Sequence, residues 1–162
     1  MEPKYPTFIH QRNALSRAGK NPHVIRRMPS GWAVMGDDQF LTGYSLLVAD
    51  PEVDHLTDLD DERRVRFLLD MSLLGEAVFA ATPAYRINYE ILGNSVPALH
   101  AHVWPRFADE PKEFRLGPVG RYPRAQRTSM PFSLDAHSGL LASIGTQIDE
   151  LLTRPPSATR GG

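Results

Sequence analysis

Apolar runs and helical spacings divide most of the chain into recognisable elements. Trp32-Ala33-Val34-Met35 is a short apolar run stopped by Gly36-Asp37-Asp38. Tyr44-Ser45-Leu46-Leu47-Val48-Ala49 is a second, entered through Gly43 and ended by Asp50-Pro51. Runs bounded by turn formers in this way predict two strands, an antiparallel pair over a loop of about eight residues. A helix follows, with Asp58 or Asp60 as its cap and acids at 60, 61 and 62 on its positive end. Val65, Leu68, Leu69, Leu73, Ala77 and Ala80 recur at three-to-four spacing and predict its buried stripe. It stops before Thr82-Pro83, because a residue preceding proline avoids helical angles. Two more strands are predicted, Arg86–Leu92 and Leu99–Arg106, joined by a shaped loop that contains Gly93 and Pro97. A last helix spans Leu134–Thr153, with Leu140, Leu141, Ile144, Ile148, Leu151 and Leu152 on one face and Pro155-Pro156 beyond its end.

The remaining segments lack such patterns. Residues 1–30 carry Lys4, Arg12, Arg17, Lys20, Arg26 and Arg27 against the single acid Glu2, and prolines at 3, 6, 22 and 29 interrupt them. They read as an arm that hugs the surface or joins a dimer contact, or as a segment that attracts phosphate. Residues 108–133 are rich in Pro, Arg and Gly and predict a loop without long regular elements. The resulting plan is an N-terminal arm (1–30), a core (31–107), a C-terminal loop and helix of the same domain (108–154), and a disordered tail (155–162). The fold class is α+β, with a mainly antiparallel sheet and a central helix.

Composition narrows the function. The 162 residues are 41% hydrophobic, which suits one domain with a real core. Eighteen Lys and Arg stand against 19 Asp and Glu. That balance argues against a nucleic-acid coat or a polybasic membrane protein and leaves room for a local anion site. The absence of cysteine excludes disulfides, Cys-based zinc or iron–sulfur sites and Cys nucleophiles. The start, MEPKYPTFIH, has no apolar signal core, and the longest apolar candidate, Val65–Ala81, is interrupted by Arg66, Asp70 and Glu76. Cytoplasm is the expected location, with no membrane and no nucleic acid as partners.

The chemistry concentrates in Leu99-His100-Ala101-His102-Val103-Trp104. On a strand, residues two apart share a face, so both imidazoles and Trp104 emerge together while Leu99, Ala101 and Val103 turn to the core. Two such histidines can ligate a metal, perform acid–base or nucleophilic chemistry, or sit as satisfied polar groups. A metal needs a further ligand, and the next acids, Asp109 and Glu110, lie beyond Pro105. The upstream Gly93-Asn94-Ser95-Val96 offers backbone N–H groups, an amide and a hydroxyl, which are the donors a phosphate or carboxyl oxyanion needs. A hydrolase elbow at Gly93-Asn94-Ser95 would require a second glycine where Pro97 stands.

The run from Asn88 to Arg106, NYEILGNSVPALHAHVWPR, resembles the signature of the histidine triad (HIT) superfamily, His-φ-His-φ-His-φ-φ with φ apolar, commonly followed by Pro-Arg. Phe40–Val48 resembles the family's strand entered through a Pro-Gly-His/Tyr turn, with Thr42 in place of the proline, and His55–Leu59 resembles the lead into its central helix. The resemblance covers about residues 31–107, and implies a sheet of about five strands with central and C-terminal helices. Pro105-Arg106 sets the register, so His100 matches the middle histidine, His102 the last, and Ala98 the first. By that resemblance His100 attacks the α-phosphate to form a nucleotidyl-histidine, and His102 contacts phosphate or leaving-group oxygens. Asn88, Asn94 and Ser95 would contact phosphate oxygens and the scissile bridge, and Asp37 a ribose hydroxyl. With Ala98 the supporting imidazole is missing, so a backbone carbonyl has to orient His100.

The implied activity is hydrolysis of a dinucleoside polyphosphate or nucleotidyl conjugate, as in bacterial-type diadenosine polyphosphate hydrolases. No metal site and no required cofactor is implied, a divalent cation being at most an assistant, and a homodimer is expected. A nucleotide-binding module with weak or no catalysis and a His-X-His metal-binding protein are the alternatives.

Overall fold

The computed structural model describes residues 7–155. Five strands form one sheet: β1 (Val24–Met28), β2 (Gly31–Met35), β3 (Ser45–Ala49), β4 (Arg86–Glu90) and β5 (His100–Arg106). Their order is β1-β2-β3-β5-β4, and every neighbouring pair is antiparallel. The helices are α1 (Phe8–Arg17), α2 (Asp61–Ala81), the short α3 (Lys112–Arg115) and α4 (Arg124–Arg127), and α5 (Leu134–Thr153). The α+β class, the four strands expected from residue 31 onward and both long helices are as the sequence predicts.

Within the expected arm, the described residues 7–30 form a helix and a strand of the sheet instead. Thr7 caps α1 by accepting from the Ile9 N–H, while its own N–H donates to His10 Nδ1, a reciprocal cap. β1 then supplies one of the sheet's two outer strands. Its basic residues hide the pattern: Ile25 and Met28 are buried, while Arg26 reaches Asp149 on α5 at 3.0 Å and Arg27 lies over the Trp32 ring. An irregular register between Val24 and Arg26 removes the strict alternation that would have marked a strand. The proposed disordered tail falls almost entirely on residues 156–162, outside the described ones.

α2 and α5 cover one face of the sheet. There Phe67, Leu74, Ala77 and Val78 of α2 meet Ile144 and Ile148 of α5, and Leu47, Ala101 and Val103 of the sheet. This corrects the stripe expected on α2, since Val65, Leu68, Leu69 and Ala80 are exposed. The true stripe contains a carboxylate, which apolar spacing cannot recognise. Asp70 is fully buried and accepts from the Ser30 N–H at 2.8 Å, the Ser30 hydroxyl at 2.6 Å and Arg66. Asp60 is the cap of α2, accepting from the Arg63 N–H, whereas Asp58 accepts from the His55 N–H one turn earlier. On α5, Leu152 is likewise exposed, and Ile144 and Ile148 are the buried residues of its expected face.

The opposite face of the sheet carries α1, which packs Ile9 against Val34 and Val48. Residues 108–133 hold turns, the two four-residue helices and a 3₁₀ turn at Val119–Arg121, with no long regular element, as expected.

Candidate active site

β5 sends Leu99, Ala101 and Val103 into the helix-covered core, and His100, His102 and Trp104 to the other face. Antiparallel register places Val48 beside His100 and Leu46 beside His102 on β3, with Glu90 beside His102 and Asn88 beside Trp104 on β4. α1 roofs this face, leaving a cavity of about 420 Å³. Ile9, Val34, Leu46 and Val48 give it an apolar wall, and His100, His102, Asn94, Ser95, Asp37 and Arg12 are among its polar lining. Such a mostly apolar hollow with a few converging polar groups is the usual form of a small-molecule site.

His100 is buried, and its Nδ1 lies 2.7 Å from the carbonyl oxygen of Ala98. A carbonyl only accepts, so Nδ1 carries a proton, and in the neutral ring the lone pair is then on Nε2. The expected backbone orientation of His100 is therefore present, and it comes from the residue that lacks an imidazole. The His102 ring centroid is 4.9 Å away, the two rings meeting edge to face. Burial, and then the neighbouring His100, push the pKa of His102 down to about 4, so it is uncharged at neutral pH. Its Nδ1 is 2.6 Å from the hydroxyl of Tyr44. That phenol is raised well above its ordinary pKa, first by burial and then by the negative charges of Asp37, Glu90 and Asp38.

The other candidates divide into two groups. Asn94 and Ser95 stand exposed on the cavity rim, in the loop entered through Gly93, whose φ of +141° favours glycine. Asp37 also lines the cavity, and Arg12 of α1 pairs with it at 2.7 Å. Asn88 lies elsewhere. Its Oδ1 accepts from Arg106 Nη1 at 2.8 Å, and it is not part of the cavity wall.

Arg106 is almost wholly buried and gives all five of its N–H groups to acceptors. Nε and Nη2 hold Glu110, Nη1 holds Asn88 and the Gly117 carbonyl, and Nη2 also holds the Phe114 carbonyl. Burial raises the Glu110 pKa, but hydrogen bonds from Arg106 and Tyr122 outweigh it and hold the carboxyl below its ordinary value. This cluster pins residues 107–122 to the sheet end. The Tyr122 carbonyl in turn accepts from Arg127 Nε at 3.1 Å, which brings Arg127 and Thr128 to the cavity rim.

Sequence reasoning missed Tyr44, Asn13, Arg127 and the roof formed by α1. Tyr44 had one available signal, its place two residues before a strand position that pairs with β5. The others depend on contacts across many residues. Asn13 is buried, with its Nδ2 donating to the Ala49 carbonyl and to Glu52 Oε1. Among the described residues, no group of three or more His, Asp or Glu side chains is placed to hold a metal ion.

The HIT domain family model matches residues 20–109. This chain belongs to the HIT family. A histidine triad protein from Sinorhizobium meliloti is similar at 23% identity and a TM-score of 0.64, the match covering 82% of this chain and 93% of that one. One from Marinobacter aquaeolei is 22% identical with a TM-score of 0.65, over 84% and 95% of the two chains. A hypothetical histidine triad nucleotide-binding protein from Sulfolobus tokodaii is 14% identical with a TM-score of 0.66, over 87% and 93%. At these identities the solved structures establish the shared HIT fold. HIT proteins are in general nucleotide-binding hydrolases or transferases, and some are non-catalytic.

Proposed function

We propose that this HIT protein is a nucleotidyl hydrolase, cleaving a phosphoanhydride or phosphoramidate bond in a dinucleoside polyphosphate or nucleotidyl conjugate. The observation that carries the reading is the bond from His100 Nδ1–H to the Ala98 carbonyl, which puts the neutral ring's lone pair on Nε2, the nucleophile. Nε2 attacks the α-phosphorus, the bond to the leaving group breaks, and that group departs with the electron pair. The nucleotidyl imidazole so formed is cationic, and the Ala98 carbonyl supports its Nδ1–H. Water then attacks phosphorus, the P–N bond breaks, and a water proton passes to solvent, returning His100 to its starting state.

His102 lies beside this path and contacts phosphate or leaving-group oxygens. Asn94 and Ser95 add donors from the loop. Asp37 takes a ribose hydroxyl once the nucleoside competes with Arg12. Asn88 acts at one remove, through Arg106. Ala98 at the first triad position aligns the chain with the bacterial-type diadenosine polyphosphate hydrolases. A second copy is the proposed protein partner, on the open edge of β4 and the exposed Val65, Leu69 and Phe79 of α2.

The test is a panel of nucleotide conjugates against wild type and His100→Ala, with a chelator arm to detect an assisting divalent cation. Turnover by wild type, its loss in the variant with the fold retained, and an alkali-stable phosphoramidate on His100 are expected. Binding without turnover across the panel would instead favour a non-catalytic nucleotide-binding module, the reading motivated by Ala98. Equal activity of the two proteins removes His100 as the nucleophile.

A further inference from the structure

The two cavity histidines differ in what holds their Nδ1 atoms. His100 faces a carbonyl, which can only accept. His102 faces a hydroxyl, which can do either. Two neutral arrangements satisfy the 2.6 Å distance between Tyr44 and His102. In one, the Tyr44 O–H donates to an unprotonated Nδ1 and the ring proton sits on Nε2. In the other, Nδ1–H donates to the phenol oxygen, and the phenol O–H must find a different acceptor.

The surroundings choose between them. Tyr44 is buried, and among the described residues its hydroxyl has no hydrogen-bond partner besides His102. The second arrangement therefore strands a buried donor, a penalty that corresponds to roughly 5- to 150-fold in population. Nor can the ring swing away to escape the choice. Tyr44 stacks on Trp104 with centroids 3.4 Å apart and planes 7° from parallel. It also packs against Gly36, where a Cβ would stand 2.1 Å from the tyrosine ring. The hydroxyl is thus placed by packing, before any ligand arrives.

We propose that Tyr44 is a positioning residue that donates to His102 Nδ1 and so fixes the His102 proton on Nε2. The two neighbouring histidines then carry complementary Nε2 atoms, a lone pair on His100 and a donor on His102. The groups around His102 are His100 on β5, Glu90 opposite it on β4, Asp37 and Asp38 on the loop after β2, and Arg12 on α1. Glu90 is occupied by the Trp104 indole N–H at 3.1 Å and Asp37 by Arg12. Neutral His102 does not need to surrender its proton. Giving it up would leave an imidazolate, or a buried tyrosinate if Tyr44 passed its own proton on. The ring acts instead as a fixed hydrogen-bond donor to a phosphate or leaving-group oxygen whose charge grows in the transition state.

The consequence for turnover rests on the nucleotidyl hydrolase reading, whereas the tautomer does not. Long-range ¹H–¹⁵N spectra of the full-length protein, uniformly ¹⁵N-labelled, distinguish a protonated from an unprotonated ring nitrogen. The wild type should show His102 Nδ1 unprotonated and Nε2 protonated. Tyr44→Phe removes only the hydroxyl and should move the Nδ1 resonance toward that of a mixed tautomer. On any conjugate that wild type hydrolyses, the same variant should lose roughly tenfold or more in kcat with KM little changed. A wild-type proton on Nδ1 overturns the proposal without recourse to any variant. So does a Tyr44→Phe protein whose His102 spectrum or kcat matches wild type. If wild type hydrolyses no conjugate, the functional reading fails while the spectra still decide the role of Tyr44.

Discussion

Burial, and then the neighbouring His100, both resist protonation of His102, and the effect is measurable. Its pKa in the folded protein, about 4, lies below the ordinary imidazole value of 6.5, so between those values the unfolded chain binds more protons. The resulting stability is fully present above about pH 6.5 and is lost as pH falls toward the folded value. From about pH 7.5 to about pH 4.5 this group alone should remove about 2–3 kcal/mol. Denaturant titrations at both pH values should show that wild type loses this much more than His102→Gln, and equal losses would contradict it. His100 and His102 were legible in the sequence because strand alternation fixes which side chains share a face. Tyr44 was not, since its relation to His102 exists only after β3 and β5 have paired.

α2 shows how an element can be recognised correctly and oriented wrongly. Its start, its end and its helical nature follow from Asp60, from Thr82-Pro83 and from the apolar content between them. Its buried face does not follow, because Asp70 interrupts the true stripe while exposed leucines complete a false one. Asp70→Leu should therefore destabilise the protein by about 2–4 kcal/mol, leaving the Ser30 donors and Arg66 without their acceptor. Val65→Gln or Leu69→Gln should stay within about 0.5 kcal/mol of wild-type monomer stability. Chemical denaturation checks both expectations. The same glutamine variants should weaken self-association in sedimentation if the exposed face of α2 is where a second copy binds.

The C-terminal third and the sheet behave as one unit because Arg106 joins them. Its side chain leaves β5 and closes on acceptors from β4 and from residues 110–117. Arg106→Met would leave the buried Glu110 carboxylate without its cation and should cost about 3–5 kcal/mol, read by denaturation. The added change Glu110→Met should restore only part of that loss, since the Gly117 and Phe114 carbonyls would still lack their donor. Limited proteolysis should cut the Arg106→Met protein first between residues 108 and 128. Its cavity rim should loosen too, because Arg127 depends on Tyr122, and Tyr122 on Glu110.

Local rules acting over a few residues settled much of this protein in advance. Alternation around His100 and His102, turn formers at strand ends, helix caps and the absence of cysteine defined the fold class and the central pair of imidazoles. Interactions between distant segments decided the rest. Arg26 and Asp149 are far apart in the chain, as are Tyr44 and His102, Arg12 and Asp37, and Asp70 and Ser30. A buried polar or basic residue can be told from a solvated one only by the partner that satisfies it. Those partners come together when the sheet closes, and with them come the α1 roof over the cavity and the orientation of both histidines.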